Sequence, residues 1–369
     1  MSHDDLCRDL DRATPRDVEL ALAHEQLDDR NIVALLSKAA APYLEDMARK
    51  AQALTRQRFG RTMQLYAPLY LSNECVNRCS YCGFSRELQI PRLTLTIEAA
   101  RAEAEWLHAA GLRHLLLVSG EAPRAVSLDY LEEVARVLRP RFDSLSIEVG
   151  AFDLVGYRRL AAAGIDGLTI YQETYQPDVY RQMHLAGPKR DYARRRRAIE
   201  EGGEAGFRTL GIGALLGLAP WRLEAYALAK HGRTLTLRFW RSRIAVSFPR
   251  IRSNAGGRPS AQPVSDRELV QMICAVRLAL PDAELVLSTR EPAILRDHLM
   301  GIGITRMSAG SRTNPGGYGE NGRSGEQFAI EDPRSAAEVA AALLERGFEP
   351  VWKDFDRCFL PASSRPEVA

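Results

Sequence analysis

Three cysteines, Cys75, Cys79 and Cys82, fall within eight residues in the segment Cys75-Val-Asn-Arg-Cys79-Ser-Tyr-Cys82. Thiolates spaced C-x3-C-x2-C on one loop can fold around a single iron–sulfur cube. Three ligands leave one iron without a protein thiolate, unlike the four-cysteine set of an electron-transfer cluster. An iron left open is a place for a small molecule to bind, as the open position of a catalytic zinc site is. Structural zinc is the alternative, but it needs a fourth Cys or His. The nearest histidine along the chain is His108, and no second CxxC follows.

A second group of polar residues recurs at the ends of short apolar runs: Ser119-Gly120-Glu121, Glu148, Gln172-Glu173, Ser247, Ser288-Thr289-Arg290 and Ser308. The runs are 65–72, 114–120, 144–150, 167–173, 208–215, 243–249, 284–290 and 303–310. Between them lie amphipathic stretches with helix punctuation. Ala99, Ala102, Trp106 and Ala110 are spaced along one face of a helix stopped by Gly111. Asp153 is placed to cap a helix ending at Gly164, and Ser265 with Glu268 fits a capping box. Eight strands, each followed by a helix or long loop, imply parallel βαβ pairing. The fold class expected is α/β: a (β/α)8 TIM-type barrel, with an open doubly wound sheet as the competing architecture. In a barrel all these strand ends, and the cysteines after the first strand, converge on one mouth. Residues 1–60 read as a helical extension with Gly60 as terminator, and residues 61–369 as the barrel.

Length and composition agree with this. The 369 residues are 46% hydrophobic and 26% charged, enough for a large core. A net charge of +3 gives no reason to expect a nucleic-acid or membrane surface. The acidic N-terminus lacks a secretory apolar region, and no run approaches the roughly 18 apolar residues of a membrane span. A cytoplasmic location is expected. The six cysteines, three of them clustered, favour metal chemistry over disulfides.

The cysteine spacing after the first strand resembles the signature of the radical S-adenosylmethionine (SAM) superfamily. That resemblance implies a [4Fe–4S] cluster on Cys75, Cys79 and Cys82, with SAM chelating the open iron and yielding a 5′-deoxyadenosyl radical. It also implies SAM contacts at Gly120 and Glu121, at Tyr81 beside the third cysteine, and at Gly211 and Gly213 of GIG, with Glu148 contacting either the SAM ribose or the substrate amine. One arginine of the run Arg194–Arg197, matched as Arg195, would pair with the SAM carboxylate. Within the superfamily, the strings LYLSNECVNRCSYCGFS, HLLLVSGE, YQETYQPDVYRQMHLAGPKRDY, GIGALLGL, RSRIAVSFPRIR, LSTRE, SAGSRTNPGGY and VWKDFD run in the order found in the 2-iminoacetate synthase family.

This narrower resemblance implies cleavage of the Cα–Cβ bond of L-tyrosine to 2-iminoacetate and 4-cresol, supplying the thiazole of thiamine. It implies a reducing flavodoxin or ferredoxin and thiazole synthase as partners, and a C-terminal part of the barrel of the type associated with biotin and thiamine synthesis. Arg290 is the expected anchor for the substrate carboxylate, with Ser308 and Ser311 adding hydroxyls. Gln172, Glu173 and Tyr175 are candidates to hold the ammonium or the phenol. Arg250 and Arg252 either face substrate or are basic loop residues, and alternation admits only one of Ser288 and Thr289 to the interior. Hydrogen abstraction from the amino group or from the phenol would both suit these residues. The chain departs from the family at Gly150-Ala151-Phe152, where a proline turn is usual, and at His231–Arg238, which looks unlike the usual helix before the sixth strand. The related lyase of hydrogenase maturation is disfavoured, because Cys274 and Cys358 are too few and too far apart for its second cluster. Another radical SAM aromatic amino acid lyase, and a non-catalytic iron–sulfur or zinc scaffold, are the remaining alternatives.

Overall fold

A computed structural model describes residues 3–256, 260–319, 324–353 and 355. Cys358, and Asp354 and Asp356 of VWKDFD, lie outside the described residues. Eight parallel strands make the barrel: β1 (Thr62–Ser72), β2 (His114–Ser119), β3 (Ser144–Glu148), β4 (Gly167–Glu173), β5 (Thr209–Ala214), β6 (Arg243–Ser247), β7 (Glu284–Leu287) and β8 (Arg306–Ser308). β8 returns to β1, with Gln64 opposite Arg306 and Tyr66 opposite Ser308. That pairing closes the sheet and removes the open doubly wound alternative.

The strands are apolar on both faces because each face has its own core. Leu115 and Leu117 of β2 point outward and are fully buried under the helices, together with Leu145, Leu168 and Leu210 of the next strands. Leu116 and Val118 point inward and form a separate, smaller cluster with Tyr66, Tyr70, Phe84, Ala245 and Val286. A period of two therefore sorts each strand between structure and site. Truncating Leu117 to alanine would cost about 2–5 kcal/mol by leaving a cavity in the outer core.

The caps read from sequence are present. Asp153 Oδ1 accepts from Gly156 N at 2.8 Å, and Ser265 and Glu268 form the capping box. Gly164 sits at φ +100°, a backbone turn that a side chain would strain. Helix Ile97–Ala109 corrects the expected phase. Its buried face is Ala100, Glu103, Ala104 and Leu107, whereas Ala102 and Trp106 are exposed. Glu103 misled the pattern: its carboxylate is buried because it accepts from Tyr318 N at 2.9 Å. Likewise His231–Arg238 forms the last turns of one continuous helix, Trp221–Arg238.

Four α-helices between His3 and Phe59, with a 3-10 turn Lys38–Tyr43, precede β1, and Gly60 at φ +67° ends the last of them. They cover the outside of helices Trp221–Arg238 and Asp266–Ala279, where Lys230 Nζ donates to Asp29 at 2.7 Å and Gln271 Nε2 to Leu35 O at 2.9 Å. The chain returns at Glu349–Val351 to pair with Thr62–Gln64 at the start of β1, a strand without a sequence signal.

Candidate active site at the barrel mouth

The cysteine loop leaves β1 and is pinned on every side. Arg92 gathers the carbonyls of Asn73, Phe84, Ser85 and Leu88 with one guanidinium. Arg78–Cys79 pairs antiparallel with His184–Ala186. Asn77 Nδ2 donates to Glu121 Oε2 at 2.7 Å, while its Oδ1 accepts from Lys189 N at 2.9 Å. Burial, then the nearby Lys189, depresses His184 to about 3, so it stays neutral. With its Nδ1 donating to Tyr180 O at 2.8 Å, its Nε2 accepts from Tyr81 OH at 2.8 Å.

Cys75, Cys79 and Cys82 face a common space of about 550 Å³, bordered also by Glu121, Lys189 and Arg195. Burial pushes the Cys79 thiol up to about 12, so its thiolate requires a cationic partner. Among the described residues no three His, Cys, Asp or Glu side chains gather closely enough for a single ion. Three thiols bordering one space, with no fourth Cys or His beside them among the described residues, fit a multi-iron cube with one open iron rather than mononuclear zinc.

Of the arginine run, Arg195 alone borders this space. It is 7% exposed, and its Nε is held by Tyr171 O at 3.0 Å. Arg194 turns to Phe152 O and Glu201, and Arg196 to His231. At Gly120 a Cβ would meet Glu74 O at 2.2 Å, so glycine lets the Glu121 turn lie against the cysteine loop. Gly211 and Gly213 border none of the mouth cavities. A Cβ on Gly213 would strike Tyr171 Cδ1 at 2.7 Å, so that glycine makes room for Tyr171.

A second cavity, about 590 Å³, lies over the inner core. Arg290, Ser308 and Ser311 enter it, as do Tyr66, Tyr70, Tyr171 and Phe328. The Arg290 guanidinium lies 3.3 Å over the Phe328 ring and has no carboxylate within ion-pair distance among the described residues. Burial lowers its pKa, the direction of a cation short of counter-charge. Ser308 Oγ accepts from Thr289 N at 3.1 Å, whereas the 2%-exposed Ser311 Oγ has no partner among the described residues. Ser288 and Thr289 both border the cavity, because β7 ends at Leu287 and strand alternation no longer applies. Arg250 and Arg252 share the buried Glu291, and only Arg252 reaches a cavity.

The end of β4 corrects two expectations. Gln172 points outward, away from the mouth, and Tyr171 takes the inward position. Tyr175 also turns away: its hydroxyl is 2.8 Å from His231 Nδ1, and Arg196 covers its ring. Glu173 does reach the mouth, on the cysteine side, paired with Lys189 Nζ at 2.6 Å. It is the one non-glycine at positive φ (+67°) among the described residues, in a γ-turn closed by Thr174 N to Gln172 O at 2.9 Å. Such a conformation costs about 1–3 kcal/mol and persists where its surroundings hold it. Despite burial, Lys189 and Arg195 keep its carboxyl below the usual value.

Glu148 and Gln327 border both cavities, and both also border a third space shared with Tyr81, Lys189, Arg252 and Arg290. Burial first, then Glu173, raises Glu148 to about 7. Gln327 Oε1 accepts from Tyr70 OH at 2.7 Å. Sequence reasoning missed Tyr66, Tyr70 and Tyr171, which the period-two alternation of β1 and β4 would have found. It missed Gln327 and Phe328 because they lie on a segment with no periodicity.

A closed parallel barrel whose mouth holds three thiols, the Glu173–Lys189 ion pair and the buried Arg195 has the class of site found in radical SAM enzymes. Residues 69–228 match the Radical SAM superfamily, and residues 247–349 the Biotin and Thiamin Synthesis associated domain. The 2-iminoacetate synthases of Escherichia coli and Salmonella typhimurium are each 44% identical, over 98% and 96% of this chain and 96% and 94% of theirs. The chain belongs to the 2-iminoacetate synthase family. Among solved structures, the FeFe-hydrogenase maturase HydG from Carboxydothermus hydrogenoformans superposes with TM-score 0.85 at 32% identity, covering 95% of this chain and 80% of that one. Methylornithine synthase, at 20% identity and TM-score 0.72, shares the fold over 91% of this chain and 97% of its own. Membership in the superfamily implies SAM and a [4Fe–4S] cluster as cofactors. Among the described residues no helix is long and apolar enough to cross a membrane.

Proposed function

We propose that this chain cleaves the Cα–Cβ bond of L-tyrosine, giving 2-iminoacetate and 4-cresol, and that the iminoacetate passes to thiazole synthase. The observation that carries this reading is Arg290: a buried cation without a carboxylate partner among the described residues, in a cavity walled by Tyr66, Tyr70, Tyr171 and Phe328. A free aromatic amino acid supplies both the missing anion and a ring to fill the apolar wall.

Cys75, Cys79 and Cys82 would hold the cluster, and Glu121 and Arg195 the ammonium and carboxylate of SAM, with Gly120 and Tyr81 beside them. When bound and reduced by a one-electron donor, a flavodoxin or ferredoxin, cluster and SAM supply a hydrogen-abstracting radical. The chain's own residues orient the substrate. Arg290 grips the carboxylate, Ser311 donates its free hydroxyl, and Ser308 is held ready by Thr289. Glu148 stands between the two cavities with a proton affinity matched to neutral pH, so it is placed to take a proton from the substrate ammonium. Gln327 and Phe328 cover the mouth and keep water from the radical. The reducing chemistry and the free thiols suit the cytoplasm.

Anaerobic reconstitution, reduction and incubation with SAM and tyrosine test the reading, with 5′-deoxyadenosine and 4-cresol as the expected products. Deoxyadenosine without cresol would transfer the reading to another aromatic amino acid. Neither product, from protein carrying a full cluster, would leave a non-catalytic scaffold.

A further inference from the structure

Behind β4, outside every cavity described above, a fully enclosed carboxylate grips the strained turn. Glu224, on helix Trp221–Arg238, is 1% exposed and has no cationic partner among the described residues. Its Oε1 accepts from Thr174 Oγ1 at 2.7 Å and its Oε2 from Tyr175 N at 2.8 Å. Thr174 is itself completely buried, and its Oγ1 in turn accepts from Gln176 N at 3.1 Å. These bonds fasten the two residues that follow Glu173, the residue at φ +67°. Glu173 is tied on its own account by Leu215 N to Glu173 O at 2.7 Å and by its ion pair with Lys189. A buried carboxylate facing only neutral donors is costly, and it is tolerated where it fixes geometry.

We propose that Glu224 is a positioning residue: through Thr174 and Tyr175 it holds the backbone of Glu173 in its left-handed turn, keeping the Glu173–Lys189 pair against the cysteine cavity and so setting the affinity for SAM. The proposal rests on the cofactor side of the reading above, and not on the identity of the substrate. Without the clamp the turn relaxes to negative φ, and the Glu173 carboxylate swings out of the wall.

The test uses the reconstituted holoenzyme and its Glu224→Gln, Glu173→Gln and doubly substituted forms. SAM affinity is read from the change in the EPR signal of the reduced cluster, tyrosine affinity by equilibrium binding, and the turn by hydrogen exchange over residues 172–176. Glu224→Gln is expected to weaken SAM roughly tenfold, to leave tyrosine affinity within about twofold, and to speed exchange in the turn. The double variant should bind SAM no more weakly than Glu173→Gln alone, because Glu224 acts through Glu173. Unchanged exchange and SAM affinity in Glu224→Gln would overturn the clamp, as would losses that multiply in the double variant. Unchanged SAM affinity in Glu173→Gln, with faster exchange in Glu224→Gln, would instead sink the cofactor reading of Glu173. Should Glu224→Gln fail to fold, Thr174→Val removes one of the two bonds, with a smaller loss of SAM affinity expected and no loss counting against the proposal.

Discussion

The cysteine cavity and the Arg290 cavity share Glu148 and Gln327 as walls, yet they are built in opposite ways. The first has its three thiols on one eight-residue stretch, which is stapled in place by Arg92, Asn77 and the short ribbon to His184–Ala186. The second takes each wall from a different element: Tyr66 and Tyr70 from β1, Tyr171 from β4, Arg290 from the turn after β7, Ser308 from β8, and Phe328 from the segment beyond it. A radical source needs ligands close together, so a single loop suffices. A substrate pocket needs groups arrayed around a body the size of an amino acid, and that requires the whole barrel mouth. The first region is accordingly open to failure at one residue, whereas loss in the second is graded.

The largest effect should come from Cys79→Ala, which removes a thiol outside both cores. Activity should vanish, with iron and sulfide content falling, while the circular dichroism and melting of the barrel stay near wild type. Gross unfolding would erase the separation drawn between loop and barrel. Arg290→Ala should raise KM for tyrosine about a hundredfold, as expected for a charge-assisted anchor worth roughly 1.5–3 kcal/mol. Cluster content and the SAM-induced EPR change should be preserved, and an unaltered KM would remove Arg290 from the substrate side.

Glu148, on the shared wall, gives an intermediate effect that depends on pH. Its folded value, about 7, lies above the ordinary 4.5, so the folded state holds the proton more tightly. Its contribution to stability is complete below about pH 4.5 and is lost as pH rises through 7. Glu148→Gln should remove about 2 kcal/mol of that decline, allowing for its partial exposure, as measured by denaturant unfolding across this range. A parallel pH profile in the variant would refute the assignment. The smallest change is expected for Tyr175→Phe. Its hydroxyl serves His231 and not the mouth, so KM for tyrosine should move by less than about twofold. A tenfold rise would return Tyr175 to the pocket.

The barrel was legible because its signal is periodic. Eight apolar runs, capped helices and glycine stops are each written locally, and the strand ends carry the polar residues. Misreadings arose where a tertiary partner overrode a local pattern. Glu103 is inside because Tyr318 N waits there, and Trp106 is outside on the same helix. Gln172 and Tyr175 looked chemical but face outward, since the pleat and the γ-turn at Glu173 direct Tyr171 and Glu173 inward instead. The arginine run could not reveal its own register, because four adjacent arginines differ only in which helix face each occupies.

The sequence alone determined the clustering of Cys75, Cys79 and Cys82, the run of βα units and the place of Arg290 at a strand end, because each depends on spacing along one stretch of chain; closure of the barrel came only with the pairing of β8 to β1. Only the tertiary structure decided that Arg195, and not its neighbours, meets the cysteine cavity. It also decided that Gln327 and Phe328 line the Arg290 cavity, and that Glu224 is bonded to the two residues after Glu173. Those outcomes depend on distances between segments up to hundreds of residues apart, such as Tyr70 and Gln327, which only the closing of the barrel brings within a hydrogen bond.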